Sequence, residues 1–202
     1  MHKKKLVIIC LLVFNFTFGC KKSEPSKVEE PSTTISVNAE AAAKTQNGSF
    51  QKALDLSMQN KDEEAANEFV KVDWSKADIF SSDSPFSWTE NQIRAIAEPQ
   101  RSQMITETLN AQKPLRKLCR YIIDSTSDSK MDKKEYEVSE QKLQAVNKCG
   151  KALTKPEAML INRMVGLAIQ KLALEKLAKL YSANEPARAP EIQAELEQLP
   201  KQ

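Results

Sequence analysis

Histidine is all but missing from this chain of 202 residues: His2 is the single one, and glycine and cysteine are almost as scarce, at 4 each. Each shortage removes a class of chemistry. His2 precedes an apolar run that reads as an export signal, so the mature chain keeps no imidazole to activate a nucleophile, serve as general base near neutral pH or bind zinc. The glycines left beyond that leader, Gly48, Gly150 and Gly166, are too scattered for a phosphate-cradling loop. The formal charge of +3 goes with the leader as well. Lys3, Lys4 and Lys5 supply it; the 30 Lys and Arg less those three equal the 27 Asp and Glu. A charge-balanced chain without a dense Lys/Arg stripe lacks the cationic excess on which nucleic-acid binding rests. Nucleotide enzymes, His-dependent enzymes and nucleic-acid partners are therefore set aside. No cofactor, metal site or enzymatic activity is expected.

What is present begins with the leader. Met1 to Lys5 is basic, and Leu6 to Phe18 is an almost unbroken apolar run of 13 residues. A spanning helix needs about 20 apolar residues, so this run suits the hydrophobic core of a signal peptide instead. Residues Phe16-Thr17-Phe18-Gly19-Cys20 resemble the bacterial lipobox. Gly19 and Cys20 match it in type and spacing, while Thr17 stands where Leu is usual and Phe18 where a small residue is usual. The resemblance implies cleavage before Cys20, a diacylglyceryl thioether on its sulfur and an acylated amino terminus. At about 0.8 kcal/mol per buried methylene, several acyl chains anchor a protein stably. Lys21 stands where Asp would imply retention in the inner membrane, so an outer-membrane address facing the periplasm is expected. Residues 20–48 then read as a lipidated tether. Their Ser, Glu, Pro, Lys, Thr, Asn and Ala cannot bury enough apolar surface to offset ordering, and a coil of that length reaches about 30 Å.

Beyond Ser49 the apolar residues recur at helical spacing and nothing alternates at strand spacing, which predicts an all-α domain over 49–182 and a tail with a short helix over 183–202. The first unit runs from about Phe50 to Val72, with a turn at Asn60-Lys61-Asp62. Ala53, Leu56, Ala65 and Phe69 fall at the small, large, small and large-aromatic positions of a tetratricopeptide repeat, which this unit resembles. No Gly follows Ala53, Asn60 replaces the usual turn Gly, and Ala77 stands where Pro is common. A generic helical hairpin gives the same pattern. Either way, two to three helical hairpins of repeat-like character are expected.

Further along, Thr89 and Gln92 predict a capping box, with Ile93 and Ile96 on the apolar face of a short helix. A long pattern follows Pro99 through Ile123, and Pro114 should kink or restart it. A helix from about Asp132 to Leu153 buries Tyr136, Leu143, Val146, Cys149 and Leu153. Thr154 and Glu157 predict another capping box, opening a helix from Pro156 to about Tyr181 that is about 39 Å long. Its apolar residues cover more than half the circumference, as in a core spine; one side left open to a partner would look the same. A short helix from Pro190 to Leu199 caps it through Ile192, Leu196 and Leu199.

Two features remain as candidate sites. Cys119 and Cys149 are an even pair in an oxidising compartment, which invites a disulfide. With a turn centred near residue 128, however, Cys149 lies about 18 Å along the helix axis from the point opposite Cys119, and a bridge needs Cα atoms within about 7 Å. Two buried thiols are expected unless Pro114 kinks its helix strongly or the turn is longer and folded back. The loop 73–88 collects Trp74, Phe80, Phe86 and Trp88 among Asp73, Asp78 and Asp83. Its aromatics could stack on sugar rings or receive cations, or they could pin an irregular connection onto the first hairpin, the reading preferred here. The acids lack the spacing of a calcium loop. The function expected is binding: a membrane-anchored scaffold offering a helical groove to a protein or peptide. A glycan- or small-ligand-binding envelope lipoprotein using the loop 73–88 is the alternative.

Overall fold

In the computed structural model the described residues are 48–76 and 79–200. Cys20, the leader, the tether up to residue 47, Ala77 and Asp78 lie outside them. The described residues belong to one unit, Asn38–Gln202. They form seven α-helices and no strand; a single isolated bridge joins Thr89 to Ala158. The all-α expectation is met.

Helices α1 (Gly48–Met58) and α2 (Asp62–Val70) make the first hairpin. Ala53, Ala65 and Phe69 are fully buried; the two small side chains let the helices approach and Phe69 fills the space beyond. The turn needs a left-handed residue, and Asn60 takes it with φ 60°, a conformation Asn tolerates better than most residues. Asp62, Glu63 and Glu64 open α2, where carboxylates favour the partial positive charge of a helix start.

Phe50, near the start of α1, gathers the following loop. Phe80, Phe86 and Trp74 stand edge-on to its ring at centroid distances of 5.3, 5.5 and 6.0 Å, and Phe69 meets Trp74 at 5.1 Å. Such contacts add about 0.5–1.5 kcal/mol each beyond area burial. The chain then enters α3 (Glu90–Ala95) through the expected capping box: Thr89 accepts from the Gln92 amide, and Gln92 accepts from the Thr89 amide.

Three long helices follow: α4 (Gln100–Ser125), α5 (Lys133–Leu153) and α6 (Leu160–Asn184). Pro114 does not interrupt α4, which is helical on both sides of it. Asp132 caps α5 by accepting from the Glu135 amide. The expected capping box at Thr154 is absent. Thr154 closes α5 instead, donating to the Lys151 carbonyl and accepting from Gln170. The start of α6 moves to Leu160 because residues 157–159 pair with residues 88–90: the Glu90 amide donates to Glu157 and the Met159 amide to Trp88. Only α1 and α2 form a short hairpin; at 26, 21 and 25 residues, α4, α5 and α6 are of another size. A 3-10 turn (Pro186–Arg188) leads to α7 (Ala189–Glu197), whose Ile192 is buried in the same core.

Glycine sets the closest packing. Gly150 of α5 faces Gly166 of α6, and a Cβ on Gly166 would lie 2.7 Å from the Gly150 carbonyl oxygen. The antiparallel α5–α6 pair is the centre of the molecule, burying Leu143, Val146, Leu153, Leu174, Leu177 and Leu180. Helix α4 runs beside α6 in the same direction: Thr108 meets Met159, and Gln112 donates to Asn162 at 2.7 Å.

Candidate functional site

The parallel arrangement of α4 and α6 leaves a groove between them. Its floor is Cys119, Val165 and Ile169, and its volume is about 620 Å³. One wall comes from α6. Met164, Ala168 and Leu172 line it and recur every four positions, forming one ridge along the helix that Leu160 continues beyond the groove. Leu160, Met164 and Leu172 are 53%, 56% and 41% exposed. The other wall comes from α4, where Lys113, Arg116, Lys117 and Arg120 follow Leu109, itself 45% exposed. Apolar side chains thus line one side of the groove and cations the other.

Charge on the cationic wall is only partly balanced. Lys117 is used internally: it donates to the Ser57 carbonyl and Asn60 Oδ1 and pairs with Asp62, each at 2.9 Å, tying α4 to the end of α1. Lys113 donates to neutral Asn110. Arg116 and Arg120 are exposed and have no ion pair or hydrogen bond among the described residues. No acid lines the groove. A concave, mainly apolar surface with two uncommitted guanidinium groups on its rim fits a ligand with an apolar face and an acidic edge.

Sequence reasoning anticipated a broad apolar face on α6 without separating its buried part from its open part. The spine reading holds for Ile169, Ala173, Leu174, Leu177, Leu180 and Tyr181, all buried. The open-side reading holds for the ridge from Leu160 to Leu172. The cations of α4 were not singled out; their signal was a spacing of three and four residues from Leu109 onward.

The aromatic loop divides. Phe80 and Phe86 turn into the cluster around Phe50. Trp88 stands apart, half-buried, with its backbone carbonyl accepting from Met159. Trp74 packs on Phe50 and Phe69 yet also borders a second cavity of about 710 Å³. Asp73, Ser75, Glu140, Gln144 and Lys148 are among that cavity's other walls. The Trp74 indole nitrogen is buried without a hydrogen-bond partner. Asp73 is occupied by Ser75, whose hydroxyl and amide donate to it and hold its carboxyl below the ordinary range.

Glu140 belongs to a tight network behind that cavity. Arg188 pairs with it at 2.6 Å, Tyr181 donates to it at 2.7 Å, and the Arg188 guanidinium lies 4.2 Å above the Tyr181 ring. Burial pushes the Glu140 carboxyl up, but the Arg188 and Tyr181 hydrogen bonds outweigh it and the net shift is downward. Burial, then the bond to Glu140, pushes the Tyr181 hydroxyl up to about 12. This network fastens the C-terminal segment to α5 and α6.

Cys119 and Cys149 are both free and buried, as expected. Their expected separation is wrong: both belong to one buried cluster, and burial, then the neighbouring Cys119, pushes the Cys149 thiol up. No group of three or more His, Cys, Asp or Glu among the described residues is arranged to hold a metal ion, and no described helix is long and apolar enough to cross a membrane. Comparison of the chain with protein-family models, curated proteins and solved structures finds no match.

Proposed function

We propose that this chain is a lipid-anchored scaffold of the bacterial cell envelope whose α4–α6 groove holds an acidic amphipathic helix of a protein partner. The observation that carries the reading is the exposed Leu160–Met164–Leu172 ridge beside the uncompensated Arg116 and Arg120. From Met164 to Leu172 the ridge spans about 12 Å, or little more than two helical turns. That length suits a helix-in-groove contact, in which apolar anchors at i, i+3, i+4 and i+7 enter the groove. Acidic residues flanking those anchors would meet the two arginines in charge-assisted hydrogen bonds. The anchor itself rests on the apolar leader and the lipobox-like Phe16 to Cys20, and the outer-membrane, periplasm-facing address rests on Lys21. The protein works by binding, without a cofactor or a catalytic step.

Occupancy of the groove is testable by alkylation. Cysteine introduced as Met164→Cys or Leu172→Cys should react rapidly in the purified protein and slowly in native envelopes. Val138→Cys, at a 43% exposed position outside the groove, should react equally in both. Equal reactivity of all three in envelopes would count against a partner in the groove.

A second reading has one observation in its favour, the cavity of mixed polar and apolar walls that Trp74 borders. A sugar ring in that cavity would pack on the Trp74 side chain that borders it. Peptidoglycan fragments would then shift the Trp74 fluorescence, and Trp74→Phe would abolish the shift; an unchanged spectrum at millimolar fragment removes the reading.

A further inference from the structure

The long helices share a register that the sequence conceals. Thr108 and Gln112 of α4 are level with Met159, just before α6, and Asn162 of α6, an offset of about fifty residues. Carried along both helices, that offset brings Cys119 level with Ile169, and both residues floor the same groove. Across α6, Gly150 is level with Gly166 and Gln170 of that helix. Cys119 and Cys149 therefore arrive at one level of the bundle from two different elements. Their side chains share the buried core, 2% and 0% exposed, and after burial itself Cys119 is the neighbour that pushes the Cys149 thiol up.

The connection between α4 and α5 makes this possible. It is not a tight turn near residue 128. After α4 ends at Ser125, the chain continues along the last turns of α6. Asp128 pairs with Lys176 at 2.6 Å, Asn184 donates to the Ser129 carbonyl, and the Met131 amide donates to Asn184. Seven residues, 126–132, can extend about 20 Å, enough to offset the 18 Å that a tight hairpin would leave between the cysteines. Only then does α5 begin its return, so Cys149 comes back to Cys119.

We propose that Cys119 and Cys149 form an intramolecular disulfide that joins α4 to α5 beneath the groove. The bond arises by thiol–disulfide exchange with an external disulfide oxidant. One cysteine thiolate attacks a sulfur of that oxidant, forming a mixed disulfide and expelling half of the oxidant as a thiolate. The second cysteine thiolate attacks the first cysteine's sulfur, closing the Cys119–Cys149 bond and expelling the other half. The two cysteines lose two protons and two electrons; the electrons reduce the oxidant to two thiols, and the protons complete them. Burial pushes the Cys149 thiol well above its ordinary range in the closed core. The exchange therefore takes place while the chain is still open, and the folded bundle then shields the bond. The inference is independent of what occupies the groove.

The test uses the full chain, refolded in mixed reduced and oxidised glutathione and also isolated from envelopes without reductant. Peptide mapping should find Cys119 joined to Cys149 in most molecules. Closing a loop of about 30 residues should raise the midpoint of thermal unfolding by roughly 10 °C over the reduced protein. Cys149→Ala should abolish both the linked peptide and any effect of reductant on the midpoint. Recovery of Cys119 and Cys149 separately alkylated after unreduced denaturation would overturn the proposal. A bridge from either one to a different cysteine would overturn it too. If Cys149→Ala fails to fold, the mapping of the unaltered chain decides alone.

Discussion

Single residues set the tightest tolerances in this molecule, and the glycines show it best. A methyl group on Gly166 would meet the Gly150 carbonyl oxygen at 2.7 Å and Leu153 Cβ at 2.8 Å, neither of which is the far end of a flexible side chain. Alanine is the better helix former by about 1 kcal/mol, yet overpacking costs typically 1–3 kcal/mol. Because the closest contact is backbone, the cost falls toward the upper end, and Gly166→Ala should destabilise the fold by up to about 2 kcal/mol in urea unfolding. Gly48→Ala, with open space around its position, should not destabilise it. At Asn60, alanine would place a Cβ at positive φ, and a loss of about 1 kcal/mol is expected relative to glycine. The glycines could be counted in the sequence, but their use could not: facing positions on two helices become visible only when the helices are in register. Asn60 was readable as a turn, because polar turn residues break the apolar spacing on both sides.

Helices were the most legible level. Their apolar spacing located α1, α2, α4 and α5, and the Thr89–Gln92 and Asp132 starts fell where capping chemistry places them. The start of α6 was misread because Thr154 and Glu157 carry the local signature of a cap while tertiary pairing with residues 88–90 takes precedence. These two threonines therefore make a paired test. Thr89→Ala should cost about 1 kcal/mol through its lost N-cap. Thr154→Ala should act through Gln170, whose buried amide loses its acceptor. Adding Gln170→Leu to Thr154→Ala should recover part of that loss, whereas adding it to Thr89→Ala should recover none. Urea unfolding of the single and double variants measures both. Connections were the least legible parts. The extended path of 126–132 depends on contacts with α6 near 50 residues away, and it decides that Cys119 and Cys149 meet.

At the scale of the whole molecule, charge fixes the pH range of stability and shape fixes the binding surface. The carboxyls of Glu63, Glu140 and Glu195 sit below their ordinary value of 4.5 because lysine, arginine or hydroxyl partners hold them ionised. The stability they contribute is present above that value and is lost as pH falls below it through the lowered folded values. Tyr181 works at the other end. Its hydroxyl is kept neutral up to about 12, so its contribution is present below 10 and is lost as pH rises from there to about 12. Unfolding midpoints should form a plateau between these limits, and Glu140→Gln should flatten the acid side. The groove was half legible, since an exposed ridge and a buried spine share one helical period until a neighbouring helix covers one of them. The most direct measurement is photo-crosslinking in native envelopes from a probe at Ala168, in the middle of the ridge. The account predicts an adduct with an acidic amphipathic helix of one protein, lost on Arg116→Glu with Arg120→Glu and absent from a probe at Val138. Adducts with phospholipid, adducts with a segment lacking acidic residues, or equal yields from Ala168 and Val138 would contradict it.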